Sequence, residues 1–167
     1  MKKMTENNLK DAFAGESQAH MRYTAFADKA EKENLPNIAR IFRANAFAEV
    51  KHATNHLRNL GGIGSTADNV KAAIEGETFE VEEMYPVYIQ TAQQQGERGA
   101  ETSTTWALAA EKVHAEMYKQ AMGPVESGQD IEHTPIHVCG VCGFTMEGDA
   151  PDNCPVCGTP KDQFKEF

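Results

Sequence analysis

Cysteine is missing from the first 138 residues; all four fall between Cys139 and Cys157. That excludes a chain stapled along its length by disulfides, and in a reducing compartment such a cluster suits a metal better than disulfides. Glycine and proline together supply only 20 of 167 residues (13 and 7), and 40% are hydrophobic, which excludes a low-complexity chain. Positive charge is also scarce. Lys and Arg number 16 against 25 Asp and Glu, a net charge of −9, which argues against a nucleic-acid partner, since phosphate binding needs clustered cations. No apolar run approaches the ~20 residues of a membrane span. Met1–Lys10 is polar, unlike a secretory leader. A cytoplasmic protein without a membrane partner is expected.

The length allows one ordinary domain and a small second one. A composition break falls at Gly123-Pro124: only two prolines precede it, whereas the other five and every cysteine follow. Residues 1–122 are expected to form a mainly α, four-helix domain, 123–134 a linker, and 135–167 a module held by metal. The expected helices run from Thr5 to Glu33, from Pro36 to just before Gly61, from Glu77 to Gln95 with a kink at Pro86, and from Arg98 to Met122. The stretch 62–76 has room for a short helix of its own. The two halves resemble each other: Ala46–Ala53 aligns with Leu108–Ala115, and each holds Glu-x-x-His. An internal duplication is implied.

Residues three apart share a helix face. Glu49 with His52, and Glu111 with His114, can each bring an oxygen and a nitrogen to one point, and Glu16 and Glu80 lie on the helices before them. One Glu from each of two helices, with Glu-x-x-His from the other two, is the ligand set of a di-metal carboxylate bundle. Carboxylate oxygen with some imidazole suits iron or manganese. A lone Glu-x-x-His is usually a surface ion pair. Two in matching halves, among alanines and other apolar residues, are harder to read that way, because burying several acids without a cation is costly. Glu83 lies one turn beyond Glu80 and offers another carboxylate. Tyr23 and Tyr88 follow Glu16 and Glu80 by seven and eight residues, within reach of hydrogen-bonding the ligands. His20 and His56 face inward by spacing and are assigned to the core or to ligand support. Cys139-x-x-Cys142 and Cys154-x-x-Cys157 form two knuckles whose following glycines permit the tight turn, and four thiolates bind iron or zinc.

Together these residues resemble rubrerythrin, through Gly15-Glu16-Ser17-Gln18-Ala19, Glu49-x-x-His52, Glu80-x-x-Glu83, Glu111-x-x-His114 and Cys139-Gly-Val-Cys142-Gly with Cys154-Pro-Val-Cys157-Gly-Thr-Pro-Lys. The resemblance spans nearly the whole chain. It implies a ferritin-like di-iron four-helix bundle with a C-terminal rubredoxin-like domain, acting as a hydrogen peroxide reductase in oxidative-stress defence. It also implies that Glu49 and Glu111 bridge two irons, that Glu16 and Glu80 are terminal ligands, and that His114 binds one iron. His52 and Glu83 alternate on the other iron with redox state, and together with Tyr23 and Tyr88 they make up the implied catalytic set. A third iron, replaceable by zinc, belongs to the four cysteines. The implied partners are an electron-donor reductase or rubredoxin and a second copy of the chain, with helix pairs open to exchange. Two other readings are a ferroxidase or iron-handling protein and a metal-binding interaction protein with structural zinc. One departure from the family is His137-Val138, where several relatives carry an aromatic; the ligand count is unaffected.

Overall fold

The computed structural model describes residues 1–167. Its helices are α1 (Lys3–Lys32), α2 (Pro36–Asn59), α3 (Thr66–Phe79), α4 (Tyr85–Gln95) and α5 (Arg98–Glu126). Three short strands follow, β1 (Ile136–Cys139), β2 (Thr145–Glu147) and β3 (Phe164–Glu166). A π-helical turn, Glu80–Met84, runs α3 into α4 without a break. The chain divides into two compact units, Met1–Gly64 and Ser65–Phe167. No helix is long and apolar enough to cross a membrane.

The first unit is a helical hairpin. α1 ends in a Schellman motif: the N–H groups of Asn34 and Leu35 bond the carbonyls of Glu31 and Ala30, both at 2.9 Å. Asn34 takes the left-handed backbone, φ 58°, that glycine usually fills here, and Pro36 then starts α2 with its preset φ. Alanines fill the seam: Ala39, Ala46 and Ala53 recur every seven residues on α2 and are buried, as are Ala19, Ala27 and Ala30 on α1. Small side chains allow the two helices to approach closely. His20 ties them together, its Nδ1 lying 2.8 Å from the Ala46 carbonyl oxygen. Ile38, Ile41 and Phe47 of α2 remain exposed.

The second unit begins with a capping box. The Asp68 N–H donates to Ser65 Oγ at 3.2 Å, and the Ser65 N–H donates to Asp68 Oδ2 at 3.1 Å. The helix so started runs through Gly76, so the segment 62–76 and the expected third helix are largely one element, beginning at Thr66 rather than Glu77. The expected kink at Pro86 takes the form of the π turn just before it: the Tyr85 N–H reaches back five residues to the Glu80 carbonyl. Pro86 has no N–H to give, and its missing bond falls where the α ladder is already shifted. α5 passes Gly123-Pro124 and ends at Glu126, so part of the expected linker is helical. The glycine that stops it is Gly128, at φ 68°, with the Gln129 N–H on the Pro124 carbonyl at 2.9 Å. The three strands then form an antiparallel sheet in the order β2-β1-β3. The four-cysteine module therefore belongs to the same compact unit as α3–α5.

Candidate metal centres

Each cysteine pair sits in a tight knuckle. Gly143 and Gly158 return their N–H groups to the Cys139 and Cys154 carbonyls at 2.9 and 2.8 Å, with φ of 80° and 77° that glycine adopts without strain. The two pairs face each other, Cys139 with Cys157 and Cys142 with Cys154, at Sγ–Sγ distances of 3.6 Å. That is far beyond an S–S bond of about 2.05 Å. It is close to the ~3.8 Å edge of a tetrahedron with metal–sulfur bonds of about 2.3 Å. Burial would raise the Cys139 thiol, but backbone N–H groups of Cys142 and Val141 aimed at its sulfur outweigh burial and bring it down to about 7. Cys142 is pushed up, by burial first. A thiol that ionises this readily beside three other cysteine sulfurs suits a thiophilic cation. Gly140 has a separate reason to lack a side chain: a Cβ there would lie 2.8 Å from the Gln163 carbonyl oxygen, to which its N–H is bonded. His137 bonds the Gly148 carbonyl through Nδ1 at 2.7 Å and faces Glu166 through Nε2 at 3.4 Å, so it links loop and edge strand.

In the first unit, α1 brings Glu16 to the face of α2 that carries Glu49 and His52. His52 Nδ1 lies 2.9 Å from Glu49 Oε2 and 4.0 Å from Glu16 Oε1. In the second unit the same figure recurs with Glu77 in the place of Glu16: His114 Nδ1 lies 2.5 Å from Glu111 Oε2 and 3.9 Å from Glu77 Oε2. Within each trio one ligand atom per residue lies within 4.8 Å of the others.

The second trio is short of positive charge. With both carboxyls ionised, Glu77 Oε2 is buried without a donor, which is unusual for a group that can then only accept; its neighbour Glu111 can share a hydrogen bond with it only when one of the two is protonated. Burial, then the hydrogen bond and charge of Glu111, then the charge of Glu80, push Glu77 up to about 7. Glu80 is also raised, by burial and then by Glu111, with His114 opposing. Burial, followed by Glu80, Glu111 and Glu77, raises the Tyr85 phenol, so it stays an O–H donor beside the carboxylates. A divalent cation among Glu77, Glu111 and His114 would satisfy the orphaned oxygen and offset the crowded charge, and the oxygen–nitrogen donor set fits iron.

The structure thus gathers Glu16, Glu49 and His52 in one set, Glu111 and His114 in another, and the four cysteines in a third. On the third helix the placement differs from expectation by three residues. Glu77 occupies the position expected of Glu80, and Glu80 lies beside the set. Glu83 is exposed on the π turn; with Tyr88, 50% exposed, it lines a surface recess that also includes Phe79, Pro86 and Val87. Tyr85 is the tyrosine near the carboxylates. Tyr23 packs on Phe42 and Phe26, with ring centroids 6.2 and 6.4 Å away. A sequence signal for the shift exists: Gly15-Glu16-Ser17 is echoed by Gly76-Glu77-Thr78, and Glu16 and Glu77 precede their Glu-x-x-His partners by 33 and 34 residues.

Residues 7–122 match the family model described as Rubrerythrin, and 137–165 match that of the rubrerythrin rubredoxin-like domain. Rubrerythrin-2 of Clostridium acetobutylicum is 42% identical over 178 residues, covering 98% of this chain and 97% of the relative. Nigerythrin of Nitratidesulfovibrio vulgaris is 34% identical, covering 98% and 86%. Among solved structures, fully reduced, all-ferrous nigerythrin aligns with a TM-score of 0.56 at 34% identity, covering 98% of this chain and 86% of that one.

Proposed function

Because this chain belongs to the rubrerythrin family, with a ferritin-like fold and a rubredoxin-like four-cysteine domain, we propose that it is a non-haem iron peroxidase reducing hydrogen peroxide to two waters. The observation that carries the reading is the buried, unpartnered Glu77 Oε2 beside Glu111 and His114. A cation among the three would satisfy that oxygen and relieve the repulsion that otherwise keeps a proton on Glu77. Glu16, Glu49 and His52 would hold one iron, Glu77, Glu111 and His114 another, and the four cysteines a third. Bound ferrous iron would supply the two electrons that the reduction of one peroxide consumes, with two protons completing the waters.

The protein's part is to hold these ligands and to keep donors in place. Tyr85 remains protonated beside the carboxylate cluster, in the field of Glu80, Glu111 and Glu77. Glu80, one turn beyond Glu77, is the exchangeable carboxylate in place of Glu83, since Glu80 shares the field of Glu111 and His114. His52 keeps its assigned role as the imidazole ligand of the first set, with Glu16 and Glu49. Tyr23 lines the aromatic cluster of the first hairpin. The four-cysteine site receives single electrons from a reductase or rubredoxin. Exposed Ile41 and Phe47, at 53% and 64%, support a homodimer, and the protein acts in the cytoplasm.

The deciding experiment is anaerobic reconstitution of the full chain with ferrous iron, followed by metal analysis and mixing with peroxide. Three irons per chain and rapid oxidation by one equivalent of peroxide are expected. Uptake of one iron only would eliminate the proposal.

A further inference from the structure

Thr145 is the one buried polar residue of the chain, 4% exposed, and it stands on β2 of the four-cysteine module. Its Oγ1 lies 2.8 Å from His114 Nε2 on α5. The same hydroxyl donates to the Gly143 carbonyl at 3.2 Å. Gly143 closes the Cys139 knuckle, and Phe144, between Gly143 and Thr145, accepts the Cys139 N–H at 2.9 Å. Around the imidazole the neighbouring recess is lined mainly by apolar groups, Met117, Ala121, Ile131 and Ile136.

A hydroxyl has one hydrogen. With that hydrogen on the Gly143 carbonyl, Oγ1 presents a lone pair to His114 and can only accept there. His114 must then carry its proton on Nε2, which leaves the Nδ1 lone pair free on the side of Glu77 and Glu111. Tyr118 also lines the recess, but the hydrogen bond at Nε2 is that of Thr145; without it the other arrangement, with the proton on Nδ1 and donated to Glu111, would be unopposed by any bond at Nε2. His52, the counterpart in the first unit, is more than half exposed, and no equivalent residue engages its far nitrogen.

We propose that Thr145 is a positioning residue: a hydroxyl supplied by the four-cysteine module that fixes the tautomer and ring orientation of His114 for metal binding. The proposal rests on the reading of Glu77, Glu111 and His114 as a metal set. Partners of this kind typically govern affinity by ~10–100-fold.

The test uses the full chain loaded with diamagnetic zinc and ¹⁵N-labelled histidine. In the wild type, imidazole NMR should show His114 coordinated through Nδ1 with a slowly exchanging Nε2 proton. Thr145→Val, close in shape but without the hydroxyl, should lose the protected proton and bind zinc at this set ~10–100-fold more weakly. Thr145→Ser should restore both. An unchanged four-thiolate cobalt spectrum shows that the module stays folded in each variant. If the Val variant keeps the protected proton and the wild-type affinity, Thr145 does not position His114. If zinc leaves the His114 signals of the wild type unmoved, the metal set itself fails, and this inference with it.

Discussion

Glu77 ties the chemistry of the site to its stability. Its carboxyl titrates near 7 in the folded metal-free chain, against 4.5 ordinarily. Between those values the folded chain holds a proton that the unfolded chain has released. Its contribution to stability is therefore fully present below about 4.5 and is lost as pH rises through about 7. Urea denaturation of metal-free protein at pH 5 and pH 8 should show the wild type losing stability relative to Glu77→Gln, and metal should reverse the loss at pH 8. Coincident pH profiles would mean that the carboxyl is no more confined than a surface acid. Glu77→Gln should also weaken metal binding by more than about 100-fold, beyond what groups that merely orient a ligand contribute, whereas Glu83→Gln should leave it unchanged; isothermal titration of the full chain decides between them. Both Glu-x-x-His pairs were legible in the sequence because each lies on one uninterrupted helix face. Glu77 was not, because Glu77, Glu80 and Glu83 are spaced by three and any adjacent two make the same motif. Choosing among them requires the helix start at Ser65 and the π turn, neither of which the Glu-x-x-Glu spacing encodes. Thr145 was out of reach of sequence reasoning, since it meets His114 only through tertiary packing.

Among the elements, the π turn separates the two hairpins most clearly. Tyr23 follows Glu16 by seven residues and Tyr85 follows Glu77 by eight, and one extra residue is what a π turn accommodates. Deleting exposed Glu82 should regularise the helix, keep Tyr85 near the carboxylates and move Pro86 into a continuous α ladder. Proline there costs about 3 kcal/mol. The deletion should therefore lower the melting temperature sharply, and adding Pro86→Ala should recover most of the loss; equal melting temperatures for deletion and wild type would show that the turn relieves nothing. The capping box at Ser65 predicts a loss of about 1 kcal/mol for Ser65→Ala, measured by the same denaturation. The start of α2 at Pro36 was readable from sequence; the capped start at Ser65 was not, and α1 begins at Lys3, ahead of the expected cap at Thr5. The end of α5 was not readable either: Gly123-Pro124 has the composition of a stop, but a proline near the last turn loses one bond only, and the left-handed residue that ends the helix is Gly128.

For the molecule as a whole, the composition break near Gly123 falls three residues before the end of α5 at Glu126. It did not coincide with the division into compact units, which falls at Gly64–Ser65, because the packing of β2 on α5 joins the module to the second hairpin. The exposed apolar residues of α2 lead to a further expectation: Ile41→Glu with Phe47→Glu should convert a dimer to monomers in sedimentation velocity, with helicity retained. A double variant that sediments like the wild type would assign those side chains no part in assembly. The added residue at Glu80–Met84 also bears on the history of the fold. A gene doubled from a single hairpin begins with two interchangeable copies, and interchangeable copies treat their bound ions alike. One inserted codon in the third helix ends that equivalence while leaving both ligand trios intact. Each ligand trio could then acquire its own surroundings, one beside the four-cysteine module and the other around the more exposed His52, without any new fold having to arise.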